Sequence, residues 1–240
     1  VSIKLPAPKP CIFVGSSRKD LLGFPPPVRR NIGHALHEVQ SGGEPLSAKA
    51  LKGFGGRTVL EVIDDFDGDT FRAAYTVFCR RHLRTPCFSE EIEKGHCYPE
   101  ARNRVDQVAL ARCRGASPRT RRTRRPQAMT KRKIEAHESG GNIFADLELP
   151  DAEGLLLKSS IVIELHRLIK ERGLTQVKAA KLLGITQPDL SHLLRGDFED
   201  YSAERLMKML TVFEQDIEIV MKPHRQSGVR GRITFKPEAV

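Results

Sequence analysis

The chain has 240 residues, enough for two modest domains, and 40 Lys and Arg against 30 Asp and Glu leave it with a net charge of +10. No apolar run reaches membrane-spanning length, because Lys158 interrupts the best candidate, and no signal peptide is visible, so a cytoplasmic protein with no membrane partner is expected. The five Cys are an odd number, and Cys79, Cys87, Cys97 and Cys113 follow no zinc-knuckle spacing, which points to reduced thiols and no metal.

The positive surplus is local. Residues 1–78 carry 10 basic and 8 acidic side chains, residues 79–128 carry 13 and 5, and residues 129–240 carry 17 and 17. The high pI therefore says nothing in favour of a polyanion surface at the C-terminal end, where only local placement of Lys and Arg can act.

Lys9 to Val14 reads as a short strand and Ser17 to Leu22 as a turn of helix. Pro25 to Gln40 is a stronger helix, with Val28, Ile32, Ala35, Leu36 and Val39 on one face and Gly42 and Gly43 beyond its end. Leu60 to Phe66 and Thr70 to Phe78 are expected as strands joined at Asp67 and Gly68, with Phe71, Ala73, Tyr75 and Val77 on one side. This order, together with VGSSRKDLLGFP, LKGFGG and VLEVIDDFDGDTFRAAYTV, resembles the HigB-like branch of the RelE/ParE toxins over about Lys9 to Val77.

The resemblance implies an α+β fold and ribosome-dependent cleavage of messenger RNA, with Lys49, Lys52, Arg57 and Arg72 in matching regions as candidate RNA contacts. Those four also suit a solvated or antitoxin-facing surface. The later strands and basic C-terminal helix of such toxins are missing, so a truncated domain over 1–78, inactive and with an unpaired hairpin edge, is expected. Gly53 to Gly56 lacks the Lys and Ser/Thr of a phosphate loop and reads as a turn. No Ser-His-Asp set or carboxylate pair appears, so no catalytic residue is assigned and no cofactor is called for.

From Phe78 to Gln127 the pattern changes to scattered Cys, twelve Arg against one Lys, and no sustained periodicity. An irregular, largely disordered Arg-rich linker over 79–128 is expected, in which Arg119 to Arg125 would bind polyanions without specificity. The codons of Glu90, Glu91, Ile92, Glu93 and Lys94, read one base later, are forced to give two basic residues, one other, then two more basic ones. With permissive codons, His82 to Pro99 then reads IYVLHAFQKKSKKGIATP, which looks like the missing toxin strand and basic motif. A frameshift near Val77 or Phe78 follows as an expectation, with the natural reading regained near Met129.

After Met129 the periodicity becomes helical. Asp151 caps a helix to about Arg172 that carries Leu155, Ile161, Leu165, Leu168 and Ile169, and Gly173 ends it. Thr175 caps the next helix. QVKAAKLLGITQPDLSHLLR, from Gln176 to Arg195, has helix-turn-helix spacing: small Ala180 at a close crossing, Gly184 at the turn, and Ala179, Leu183, Ile185, Leu190 and Leu193 facing a shared core. Thr186 caps the second helix, with Pro188 in its first turn. Ser202 caps a last helix carrying Leu206, Met209, Leu210 and Phe213. Alternation at Ile217, Ile219 and Met221, and again from Arg232 to Phe235, predicts two short closing strands.

Four helices and a strand pair resemble the Cro/CI-type (XRE) DNA-binding domain in its HigA-like antitoxin form, over about Met129 to Phe235 and including the leader GGNIFADLELPDAE. The fold class expected is thus an α+β fragment followed by a mainly α domain over 129–240. The resemblance implies operator DNA as partner, with Gln187 and His192 reading bases and Asp189 either accepting from cytosine or serving the helix dipole. Gln176, Thr186, Ser191 and Arg195 are expected phosphate contacts. It also implies a homodimer through the terminal strands and a cognate toxin or antitoxin as partner. The function expected is a sequence-specific repressor and antitoxin of a type II toxin–antitoxin system fused to an inactive toxin fragment. The alternative is an endoribonuclease toxin held in check by its own fused antitoxin.

Overall fold

Alternating burial builds the first layer. Strands β1 (Cys11–Val14), β2 (Ala48–Ala50), β3 (Leu60–Phe66), β4 (Asp69–Tyr75), β5 (Thr85–Ser89) and β6 (Ala136–Glu138) form one sheet in the order β2-β3-β4-β5-β1-β6. This computed structural model describes residues 9–51, 59–77, 85–89, 136–223, 231 and 233–237. The β3–β4 turn places Asp67 at φ 53° and Gly68 at φ 85°, the two left-handed conformations that a tight hairpin turn of the right twist needs. Val62 faces Ala73 across the ladder, and both are buried.

Two strands were not legible from alternation. β5 lies inside the segment expected to be irregular, yet it pairs antiparallel with β4 and parallel with β1. The hairpin edge expected to be open is therefore occupied. β6 runs antiparallel to β1 on its other side, with Ile12 opposite Glu138. The chain after the linker thus closes the N-terminal sheet. Arg119 to Arg125 and the shifted-frame run Glu90 to Lys94 lie outside the described residues.

Helices α1 (Ser17–Leu22) and α2 (Pro26–Gln40) follow β1. Val28, Ile32, Ala35, Leu36 and Val39 of α2 are all buried, as their spacing predicts. The other side of α2 is buried as well, although it is polar: Arg30, His34, His37 and Glu38 are covered by the C-terminal helices. The short helix α3 (Ile143–Asp146) starts at Asn142, whose side chain accepts from the backbone N–H of Phe144 and Ala145. A Cβ on Gly33 would meet the Phe144 ring at 3.1 Å and Leu147 at 3.2 Å, so α2 and α3 approach this closely only because residue 33 has no side chain.

Helix α4 (Ala152–Glu171) is capped by Asp151, α5 (Gln176–Leu183) by Thr175, α6 (Gln187–Arg195) by Thr186 and α7 (Ala203–Thr211) by Ser202; each side chain accepts a first-turn N–H. Gly184 at φ 68° makes the α5–α6 turn. Ile161, Leu165, Leu190, Leu193, Leu206 and Phe213 are wholly buried. Each such side chain stabilises by about 1.5–3 kcal/mol over its exposed state. These residues form one continuous apolar cluster with those of the sheet and α2, so the two halves share a core.

The closing strands are a correction. Residues 215–223 and 233–237 belong to no strand. Ile217 and Phe235 pack against the core, while Ile219, Val220, Met221 and Ile233 are exposed. An alternating segment becomes a strand only when a ladder partner takes its N–H and C=O groups, and within the described residues none does.

Candidate DNA interface

The candidate site starts from two capped helix ends. Thr175 and Thr186 place Gln176 and Gln187 at the first positions of α5 and α6, and the two side chains meet: Gln187 Nε2 donates to Gln176 Oε1 at 2.9 Å. Both residues are half-buried. This bond fixes the Gln187 amide while leaving its Oε1 and one N–H free to face outward. That acceptor–donor pair is what the N6 and N7 edge of adenine complements in the major groove. The Gln176 NH2 remains available to a phosphate beside the open N–H groups that begin α5.

Thr186 is exposed; its Oγ1 accepts from the Asp189 N–H at 3.3 Å, and its own hydroxyl proton is free to donate. Asp189 sits in the first turn of α6, where the helix dipole favours its charge. His192 and Arg195 are exposed further along the helix, and Ser191 is half-buried. The predicted residues therefore come together along α6 and at the start of α5. An open cleft of about 390 Å³ is lined by Asp189, His192, Asp197, Asp200, Tyr201 and Arg205.

Tyr201 and Arg205 were missed from sequence. The Arg205 guanidinium lies 4.5 Å from the Tyr201 ring centroid, a cation–π contact that holds it over the cleft. Tyr201 directly precedes the α7 cap, and Arg205 lies four residues on; that pairing was a readable signal. In this cleft Arg205 is the cation able to meet a phosphate beside three carboxylates.

The residues predicted to touch RNA do not form a comparable site. Lys49 is exposed on β2, opposite Glu61. Arg72 donates to Glu61 Oε2 at 3.1 Å, so its charge is already matched. Lys52 and Arg57 lie outside the described residues. Among the described residues no group of three or more His, Cys, Asp or Glu is placed to hold a metal ion, and no helix is long and apolar enough to cross a membrane.

Residues 143–222 match a family described as "Helix-turn-helix domain". A solved structure titled "Putative XRE Family Transcriptional Regulator" is 38% identical, with 36% of this chain covering 97% of that one at a TM-score of 0.34. Residues 143–222 therefore carry a helix-turn-helix domain. Residues 19–84 match a second family, "Phage derived protein Gp49-like (DUF891)". No curated protein matches the chain. The helix-turn-helix match supports DNA-binding transcription regulation. In helix-turn-helix domains the second helix of the motif is the one that enters the major groove; that helix is α6 in this chain, and the Gln176–Gln187 pair lies at its N-terminal end.

Proposed function

We propose that this chain is a sequence-specific repressor and antitoxin of the HigA kind, acting at its own promoter and fused to a HigB-like toxin fragment that does not cleave RNA. The observation that carries the DNA reading is the Gln187 amide, fixed by Gln176 through one N–H, which leaves its Oε1 and second N–H uncommitted by that bond. The loss of nuclease function is supported by Arg72 being tied to Glu61. The exposed apolar run Ile219, Val220 and Met221 supports a homodimer on an inverted repeat, each copy supplying the strand partner that the other lacks.

The phosphate contacts are tested by Arg195→Ala. Affinity should fall by the same factor for every duplex sequence, and the slope of log K against log salt should flatten by about 0.9. A loss confined to one base pair would contradict this role. Cell-free translation of a reporter should be unaffected by the full chain; inhibition would restore the endonuclease alternative. The frameshift near Val77 or Phe78 rests on the forced basic pattern that Glu90 to Lys94 give in the adjacent frame. It predicts a toxin-like reading in the adjacent frame of the coding DNA around codons 75–130, and a frame with no such reading would dismiss it.

A further inference from the structure

The C-terminal end of the recognition helix is not free; it is seated on the Gp49-like half. Gly196, which ends α6 at φ 110°, faces α2 so closely that a Cβ there would meet His34 Cβ at 2.9 Å and the Asn31 Cα at 3.0 Å. Arg30 of α2 pairs with Asp197 at 3.1 Å and with Glu199, both just beyond α6. Asn31 also reaches the other way: its Nδ2 donates to both Asp64 carboxylate oxygens, at 3.1 and 3.3 Å. Through these two α2 residues, strand β3 is held against the end of the helix that would lie in the groove. Burial raises the Asp64 carboxyl above its ordinary value, while the Asn31 hydrogen bond and the nearby Arg195 charge favour its ionised form. Arg195 thus lies within electrostatic reach of the β3–β4 hairpin.

That hairpin is strongly acidic. From Leu60 to Tyr75 it carries Glu61, Asp64, Asp65, Asp67 and Asp69 against Arg72 alone. Asp65, Asp67 and Asp69 are exposed around its tip. At a rise of about 3.3 Å per residue, the tip is within about 10 Å of Asp64 along the strand. This is roughly one Debye length at 0.1 M salt, so the tip carboxylates add to the negative field around Asp64 and its neighbour Arg195, most strongly at low salt.

Resting on the DNA-binding reading, we propose that the acidic β3–β4 hairpin is a built-in brake on operator binding. It takes up the field of Arg195 and repels the phosphates that Arg195 would meet. DNA carries one negative charge per roughly 1.7 Å of axis, so each hairpin carboxylate weakens binding of any sequence, most strongly at low salt. The fragment is then a regulator of the domain it is fused to.

The test uses the full chain and a random-sequence 30-base-pair duplex, alongside a duplex the chain itself selects. The variant Asp65→Asn, Asp67→Asn, Asp69→Asn leaves Asp64 on Asn31, and Asn tolerates the left-handed backbone at residue 67. It should bind both duplexes about tenfold more tightly at 50 mM salt, with the gap closing by 500 mM. Glu138→Gln, on the far sheet edge β6, three strand spacings or about 14 Å from β4 and four from β3, should gain almost nothing and so separates position from net charge. If the triple variant fails to fold, Asp69→Asn alone carries the same test at a smaller gain. Equal affinity of variant and parent at 50 mM salt, or an equal gain from Glu138→Gln, overturns the brake while DNA binding stands. No binding by either chain sinks both readings.

Discussion

Taking the pH from 7 towards 4 should cost this chain roughly 3 kcal/mol of stability per pH unit through the steepest part of the range. The cause is one hydroxyl shared by two buried rings between α2 and α4. Ser159 Oγ lies 2.9 Å from His34 Nδ1 and 2.8 Å from His37 Nδ1. The Leu194 backbone beside His34 favours a proton on the ring, which suits Nε2 as the protonated nitrogen because Nδ1 faces Ser159. The His34 Nδ1 is then the acceptor, Ser159 donates to it, and Ser159 in turn accepts from the His37 Nδ1–H. His34 must be neutral to accept in this arrangement, while burial alone disfavours the charged form of His37.

Burial, with the His37 charge adding to it, lowers His34 from 6.5 to about 3, and burial lowers His37 to about 4. In the unfolded chain both take their protons near 6.5. Between 6.5 and about 4 the unfolded state therefore holds up to two more protons. Stability is complete above 6.5 and is lost as the pH falls. Asp64, whose carboxyl is raised by burial, takes its proton early in the folded chain and offsets part of the loss at the acid end. His166 meets Glu38 at 2.8 Å on the same helix pair. Urea midpoints measured between pH 7 and 4.5 check this: a steep fall is expected in the parent and a shallow one in the His34→Leu, His37→Leu double variant. A flat parent profile would contradict it.

Gln187→Ala should remove about 1–3 kcal/mol of discrimination at one A·T pair and leave the remaining positions intact. Because Gln176 holds the Gln187 amide at 2.9 Å, Gln176→Ala should lose part of the same discrimination. The double variant should then discriminate no worse than Gln187→Ala alone, the non-additivity expected of residues in direct contact. Competition binding with duplexes substituted one pair at a time gives these energies. Additive losses, or equal losses at all pairs, would refute the shared role.

Most of the C-terminal domain was legible because its signals are local. A cap, a turn glycine and an apolar stripe each act within a few residues, as at Thr186, Gly184 and Leu190. What was not legible depends on partners far away in the chain. β5 and β6 have no strong alternation of their own and become strands because β1 and β4 offer free edges. The reverse holds at Ile219 and Met221, where alternation is present and a partner is absent among the described residues.

Helix α2 shows the same limit for polar residues. Its apolar stripe predicted one buried face, yet Arg30, His34 and His37 are buried too, against Glu199, Ser159 and Leu194. Nothing in the α2 sequence names those partners, which lie more than 120 residues on. At the site itself, Gln176 and Gln187 were each recognisable, but their mutual bond and the Tyr201–Arg205 stack needed the fold.

The central claim is that α6 reads base edges, and selection from a random duplex library by the full chain at 50 mM salt tests it most directly. An enriched inverted repeat with a fixed A·T pair in each half-site is expected, with loss of that preference alone in Gln187→Ala. Retention of duplexes with no sequence enriched, or no retention at all, would contradict it.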